Sequence, residues 1–213
     1  MRLLARWCLI ATLVIFTQAM TGTLNAGASE HMIGVASRVQ GMATAINDGD
    51  ARSLDKASPI LRRDQLATST ESRLEVTFTD GSLLTMGADA SLKVDDYVFQ
   101  SPDQKNSLQL LAVGAFKLVS GAINKPEADA IKVVTPVGAL AVRGTDIWAG
   151  PIDGGYGVFL LDGQVSVTTN AGSVTLTEPG TGTNLTDINS PPGEVSRWPQ
   201  SKVDRALAAV SFQ

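Results

Sequence analysis

Between Arg73 and Thr79 apolar and polar residues alternate cleanly: Leu74, Val76 and Phe78 share one face, Glu75, Thr77 and Thr79 the other. That period of two is the signature of a half-buried strand. Asp80-Gly81 follows as a hairpin turn. The same period recurs along most of the chain. Ile33–Val39 and Met42–Ile46 flank Gln40-Gly41 as two short strands, and Asn47-Asp48-Gly49-Asp50 reads as a turn. Ala51–Arg63 is polar, broken by Pro59, and predicts a loop followed by a short strand. Leu92 and Val94 lie on one parity and Tyr97 and Phe99 on the other, so a bulge is expected near Asp95. Leu108–Leu118 reads as a long strand or a bent pair with Gly114 at the bend.

Further on, Tyr156, Val158 and Leu160 precede Asp162-Gly163, and Val165 and Val167 follow on the same parity. A two-residue turn at Asp162-Gly163 would pair Leu160 with Val165, and a second turn at Asn170–Gly172 would complete a three-strand meander. The unit apolar-x-apolar-x-apolar-x-Asp-Gly occurs at Leu74 and again at Tyr156, which suits stacked β layers. The expected fold is therefore all-β: antiparallel strands stacked as an elongated solenoid-like or sandwich domain. A short C-terminal helix is expected after Trp198-Pro199, with Ser201 as N-cap and Ala206, Leu207, Val210 and Phe212 as its apolar contacts. Trp198 is expected to staple that helix to the β domain.

The densest run of small, apolar and turn residues is Thr135–Trp148. Ala139–Val142 reads as a strand covered on both faces, with Pro136 at its start. Gly144 marks a bulge or a backbone conformation that a Cβ would forbid. Arg143 in such surroundings needs a partner, because an unpaired buried guanidinium is costly. Asp146 is the nearest candidate. Arg143 and Asp146 are either a partner-binding pair or a structural ion pair that pins the bulge, and Trp148 is either core or contact.

Thr-Pro-x-Gly-x-x-x-Val-Arg-Gly-Thr over Thr135–Thr145 resembles the signature of the FecR domain family, named after a periplasmic regulator of iron-citrate uptake. Arg63-Asp64-Gln65-Leu66-Ala67-Thr68 and Leu74–Ser82, ending in Asp-Gly-Ser, match the family's earlier segments, with Arg63 where the family pattern has glycine. The resemblance runs from about Ile33 to Leu185. It implies a domain that receives a message from an outer-membrane receptor and passes it toward a cytoplasmic sigma-factor-binding segment, and it favours the elongated stack.

The first residues bear on where such a domain would act. Arg2 and Arg6 precede an apolar run, Trp7–Ala19, and Ala26-Gly27-Ala28 supplies small residues at a cleavage site. Together these predict a secretory signal peptide, residues 1–28, cut after Ala28, with Ala26 as the alternative. The expected division is then 29–190 as the β domain and 191–213 as linker and helix. So few residues precede the apolar run that no cytoplasmic anti-sigma segment is expected, and the mature protein is expected in the periplasm or secreted. It would touch the membrane only through the signal before cleavage.

Losing Arg2 and Arg6 takes the 17 basic residues to 15 against 21 acidic ones, a mature net charge of −6. That acidity argues against nucleic acid as a partner. The single cysteine, Cys8, leaves with the signal, and His31 is the only histidine. No catalytic set, metal site or cofactor loop is expected from such residues. The leading expectation is a non-catalytic binding or signalling module with an envelope protein partner, such as an outer-membrane receptor or signalling protein. The alternative is a structural or carbohydrate-associated surface protein.

Overall fold

The structure, a computed structural model, describes residues 32–101, 103–124 and 130–213; the expected signal peptide with Ala28, and His31, lie outside them. The strands in chain order are β1 (Met32–Gln40), β2 (Ala43–Asn47), β3 (Asp50–Ser53), β4 (Pro59–Leu61), β5 (Gln65–Thr68), β6 (Arg73–Phe78), β7 (Leu83–Met86) and β8 (Ser91–Val98). They continue with β9 (Ser107–Val113), β10 (Phe116–Val119), β11 (Ile131–Thr135), β12 (Gly138–Ile152), β13 (Gly155–Thr169), β14 (Gly172–Leu176), β15 (Thr181–Leu185) and β16 (Ser196–Arg197). A 3-10 turn spans Ala122–Asn124, and the helix α1 spans Gln200–Ala208.

All sixteen strands belong to one hydrogen-bonded sheet, which curls because its two longest members serve two neighbourhoods. The first half of β12 pairs with β11, through Ile131↔Val142 to Thr135↔Gly138, while its second half pairs with β10, through Phe116↔Ala149 to Val119↔Asp146. β13 divides likewise: its first half pairs with β15 and its second with β14. Two arms result. Arm one runs β3-β2-β5-β8-β9-β11 into the first half of β12, then the second half of β13 and β14. Arm two runs β4-β1-β6-β7-β10 into the second half of β12, then the first half of β13, β15 and β16.

The inward residues of both arms form one core. Leu66, Leu92, Leu110, Val133 and Leu140 come from arm one; Leu74, Phe78, Met86, Leu118 and Ile147 come from arm two. An all-β fold with one short α-helix among the described residues thus matches the expectation. One strand pair departs from it: β9 and β11 are parallel, Ile131 opposite Leu108 and Val133 opposite Leu110. The intervening β10 crosses to arm two, so the chain re-enters arm one in the direction it left.

The bulge near Asp95 is present as a register shift between Val94 and Asp96. Gly114, at φ 93°, separates β9 from β10. The meander turn at Asp162-Gly163 is absent. β13 runs straight through those residues, and the chain reverses instead at Asp153-Gly154, where both residues take positive φ.

On the far side of β12 and β13 lies a second, smaller core. Trp148, Phe159, Ala115, Trp198, Ala206 and Val210 form it. Trp198 stacks on Phe159 at 5.0 Å between ring centroids and meets Trp148 edge-on at 6.1 Å. It can lie this close because Gly157 and Gly182 have no side chain: a Cβ on either would come within 2.6 Å of the indole. Trp198 is the expected staple. The expected cap differs, however: the helix begins after Pro199 rather than Ser201, with no side chain capping it. Polar contacts hold it instead, since Asp153 accepts from Arg205 at 2.7 Å and pairs with Lys202 at 3.5 Å.

Candidate functional site

The Thr135–Trp148 stretch, the densest run of small, apolar and turn residues, encodes backbone geometry. At its start, the Thr135 hydroxyl donates to the Gly138 carbonyl at 2.8 Å and closes the tight turn from β11 into β12. At its centre, the ladder between β12 and β13 breaks between Arg143 and Asp146. Gly144 sits there at φ 58°, opposite Gly163 at φ 82°. A Cβ on Gly163 would come within 2.1 Å of the Gly144 carbonyl oxygen. Thr145 fills the break. Its hydroxyl donates to the Gln164 carbonyl at 2.8 Å, its amide donates to Ser120 Oγ at 2.7 Å, and its carbonyl accepts from the Ser120 amide at 2.9 Å. Val-Arg-Gly-Thr is therefore the corner where both long strands pass from one arm to the other.

This corner changes the reading of the three predicted site residues. Arg143 and Asp146 do not pair. The bulge between them turns Arg143 outward on arm one, where it is exposed beside Gln164, while Asp146 turns into the corner and accepts from Lys117 Nζ at 2.9 Å. Lys117 is the partner that sequence spacing could not supply, because it lies on the neighbouring strand β10, and the partnership depends on tertiary register. Trp148 is fully buried in the second core and is no contact residue. The doubly covered part of β12 is also not Ala139–Val142, where Ala139 and Ala141 are half-buried, but Ile147–Gly150.

Around the corner lies an open groove of about 510 Å³, lined by Asp80, Ser120, Gly144, Thr145, Asp146 and Asp162 among others. Its back wall is a buried polar hub. Asp80 accepts from Ser82 Oγ at 2.5 Å, from Tyr97 Oη at 3.2 Å and from the Ile123 amide at 3.2 Å. Burial, with the neighbouring Asp80 carboxylate, pushes the Tyr97 hydroxyl up to about 12. A second buried carboxylate, Asp64, gathers Arg52, Asn47 at 2.8 Å and the Leu61 amide at 2.7 Å. Asp64 and Asp80 belong to the two early segments of the resemblance, and both are saturated by structural bonds. Arg63, at the position where the family pattern has glycine, takes a left-handed φ of 69°. Among the described residues no three His, Cys, Asp or Glu side chains gather as a metal site.

The surface that sequence reasoning passed over is the outer face of arm one. Leu111 is 40% exposed, Val113 55% and Val134 37%. The signal was present in β9, whose sequence SLQLLAV is apolar at both parities, so one set of apolar side chains had to face outward.

The FecR protein family profile matches residues 64–175, more than half of the chain, and the chain belongs to that family. No curated protein matches it. Among solved structures, a candidate anti-sigma factor from Parabacteroides distasonis is similar with a TM-score of 0.52 and 14% identity, over 67% of this chain and 63% of that one. A second candidate anti-sigma factor from the same organism has a TM-score of 0.47 and 16% identity, over 68% of this chain and 74% of that one. The 14% likeness speaks for the fold, and this chain spans less than two thirds of that relative's length.

Proposed function

We propose, on the premise of its membership of the FecR family, that this protein is an exported, non-catalytic binding module of the cell envelope, acting through a protein partner in a regulatory or signalling chain. The observation that carries the reading is the family match across residues 64–175, coupled to the tripartite N-terminal pattern of Arg2/Arg6, Trp7–Ala19 and Ala28. Support also comes from the disposition of the family's segments. Asp64, Asp80 and Thr145 spend their hydrogen-bonding capacity on the fold, which leaves surface recognition as the role of the remaining side chains. The module works in the periplasm or outside the cell, with an outer-membrane receptor or another envelope signalling protein as its partner.

Fractionation followed by intact-mass measurement tests the export step. The envelope or periplasmic fraction should contain a species lacking residues 1–28 or 1–26. Affinity capture from the same fraction should retain a protein partner. A full-length species confined to the cytoplasm, or capture of glycan without protein, overturns the reading.

A further inference from the structure

The outer face of arm one gathers three exposed apolar side chains, Leu111, Val113 and Val134, on two adjacent strands. The pairing registers place Thr168, Ala139, Val134, Leu111 and Lys93 side by side in one row across β13, β12, β11, β9 and β8. Five strands at about 4.8 Å spacing make that row roughly 20 Å wide. In the next row Lys132 stands beside Ala141, and Arg143 extends the same edge of β12. Two shallow depressions flank the ridge made by β11. One, about 300 Å³, is bordered by Lys93, Leu111, Val113 and Val134; the other, about 350 Å³, by Lys132, Ala139, Ala141 and Thr168.

Its charge is also distinctive. The chain carries a net charge of −4, yet these strands point Lys93, Lys132 and Arg143 outward. Lys93 has Asp95 at 3.4 Å; neither Lys132 nor Arg143 has an ion-pair partner among the described residues. An apolar face bordered by Lys132 and Arg143, two cations without an ion-pair partner among the described residues, on an acidic protein, is complementary to apolar side chains flanked by carboxylates. We propose that this face is the docking surface for a protein partner whose contacting segment presents apolar side chains beside Asp or Glu. The apolar side chains would fill the depressions and the carboxylates would meet Lys132 and Arg143. An isologous contact with a second copy would bring these cations toward one another. An anionic bilayer would repel the chain's net charge. The proposal rests on the binding reading above and names the surface that serves it.

The test places a photo-cross-linking side chain at Val113, the most exposed apolar residue of the face, and a control at Glu178, in the connection between β14 and β15 and ion-paired with Arg197 of arm two, in the full chain in intact cells. Cross-linked peptides are identified by mass spectrometry. The expected result is a protein adduct at position 113 whose linked peptide carries apolar residues beside Asp or Glu. Lys132→Glu with Arg143→Glu should reduce its yield at least tenfold with an unchanged melting temperature, and replacing the partner's acidic residue by lysine should restore it. A yield indifferent to charge reversal overturns the proposal. So does an adduct to a second copy, to the chain's own N-terminal residues or to lipid. If only Glu178 or affinity capture yields a protein, the face is wrong and the binding reading stands. If neither does, both fall.

Discussion

The same two strands, β12 and β13, present an outer face on each arm, and the two faces have opposite fates. On arm two, Trp148 and Phe159 point outward and are sealed under Trp198 and α1. On arm one, Ala139, Ala141 and Ser166 point outward and are half-buried, with Val134 and Leu111 exposed next to them. The difference lies in side-chain size as much as in cover. Two large aromatics could not be left in water without a cost of a few kcal/mol each, so the chain spends its last residues covering them. Alanines and β-branched residues can remain at a surface. A sheet face left open with small and apolar residues at its centre and cations around it suits recognition; a face closed by tryptophans suits stability.

The largest effect is expected from removing the seal. Trp198→Ala takes the central ring from the second core and should cost about 3–5 kcal/mol, as large-to-small substitutions of buried aromatics do. Denaturant melts measure that loss. Acrylamide quenching of Trp148, now uncovered, gives an independent readout. If Trp148 stays shielded and the midpoint barely moves, the two faces do not differ as described.

The next effect tests the corner that separates the arms. Gly163→Ala meets both a left-handed φ and the Gly144 carbonyl, so β12 must shift; the cost should be on the order of 2–4 kcal/mol. Gly144→Ala has open space around the new Cβ and meets only backbone strain, about 1–2 kcal/mol. Equal melting temperatures for the two variants would show that the strands do not cross as closely as the bulge requires.

Gly163 also marks the limit of what sequence could tell. Asp80-Gly81 and Asp162-Gly163 follow the same apolar alternation, and the same local chemistry predicts a hairpin at both. At Asp80 the turn forms: the Gly81 amide donates to the Phe78 carbonyl, and Asp80 is locked by Ser82, Tyr97 and Ile123. At Asp162 the side chain is exposed, and a fifteen-residue β12 lies alongside to continue the ladder, so the strand runs on. A partner strand distant in sequence decided the outcome. Strand alternation, the Asp95 bulge, the positive φ of Gly144 and the Trp198 staple were legible because each is a local consequence of side-chain shape. The Lys117–Asp146 pair, the parallel β9–β11 pairing and the open face of arm one were not, because each depends on which strands become neighbours.

Tyr97 links the arms through Asp80, and its pH dependence follows from its burial. Its folded-state value, pushed up to about 12, lies above the unfolded value near 10. The unfolded chain therefore loses this proton first as pH rises. The stabilisation is fully present below pH 10 and is lost between about 10 and 12. Tyr97→Phe should make that part of the stability profile measured by denaturant melts shallower, with Tyr156, also raised by burial, supplying the slope that remains. An unchanged alkaline limb would remove Tyr97 from the junction between the arms.

The smallest effect is the one that separates Arg143 from Asp146. If the bulge sends the two side chains to different sides of the corner, their removal cannot be coupled. Arg143→Ala, on the open face, should change stability by no more than about 0.5 kcal/mol, as exposed substitutions do. The double-mutant cycle of Arg143→Ala with Asp146→Ala should be additive within about 0.3–0.5 kcal/mol. The parallel cycle of Lys117→Ala with Asp146→Ala provides the contrast. Those side chains are about a quarter exposed, at 26% and 25%, and meet at 2.9 Å. Solvent screens such a pair, so its coupling should reach only about 0.5–1 kcal/mol, but it should be measurable. Coupling between Arg143 and Asp146 above that between Lys117 and Asp146 would return the arginine to the corner. It would also take from the open face one of the two cations on which the proposed docking rests.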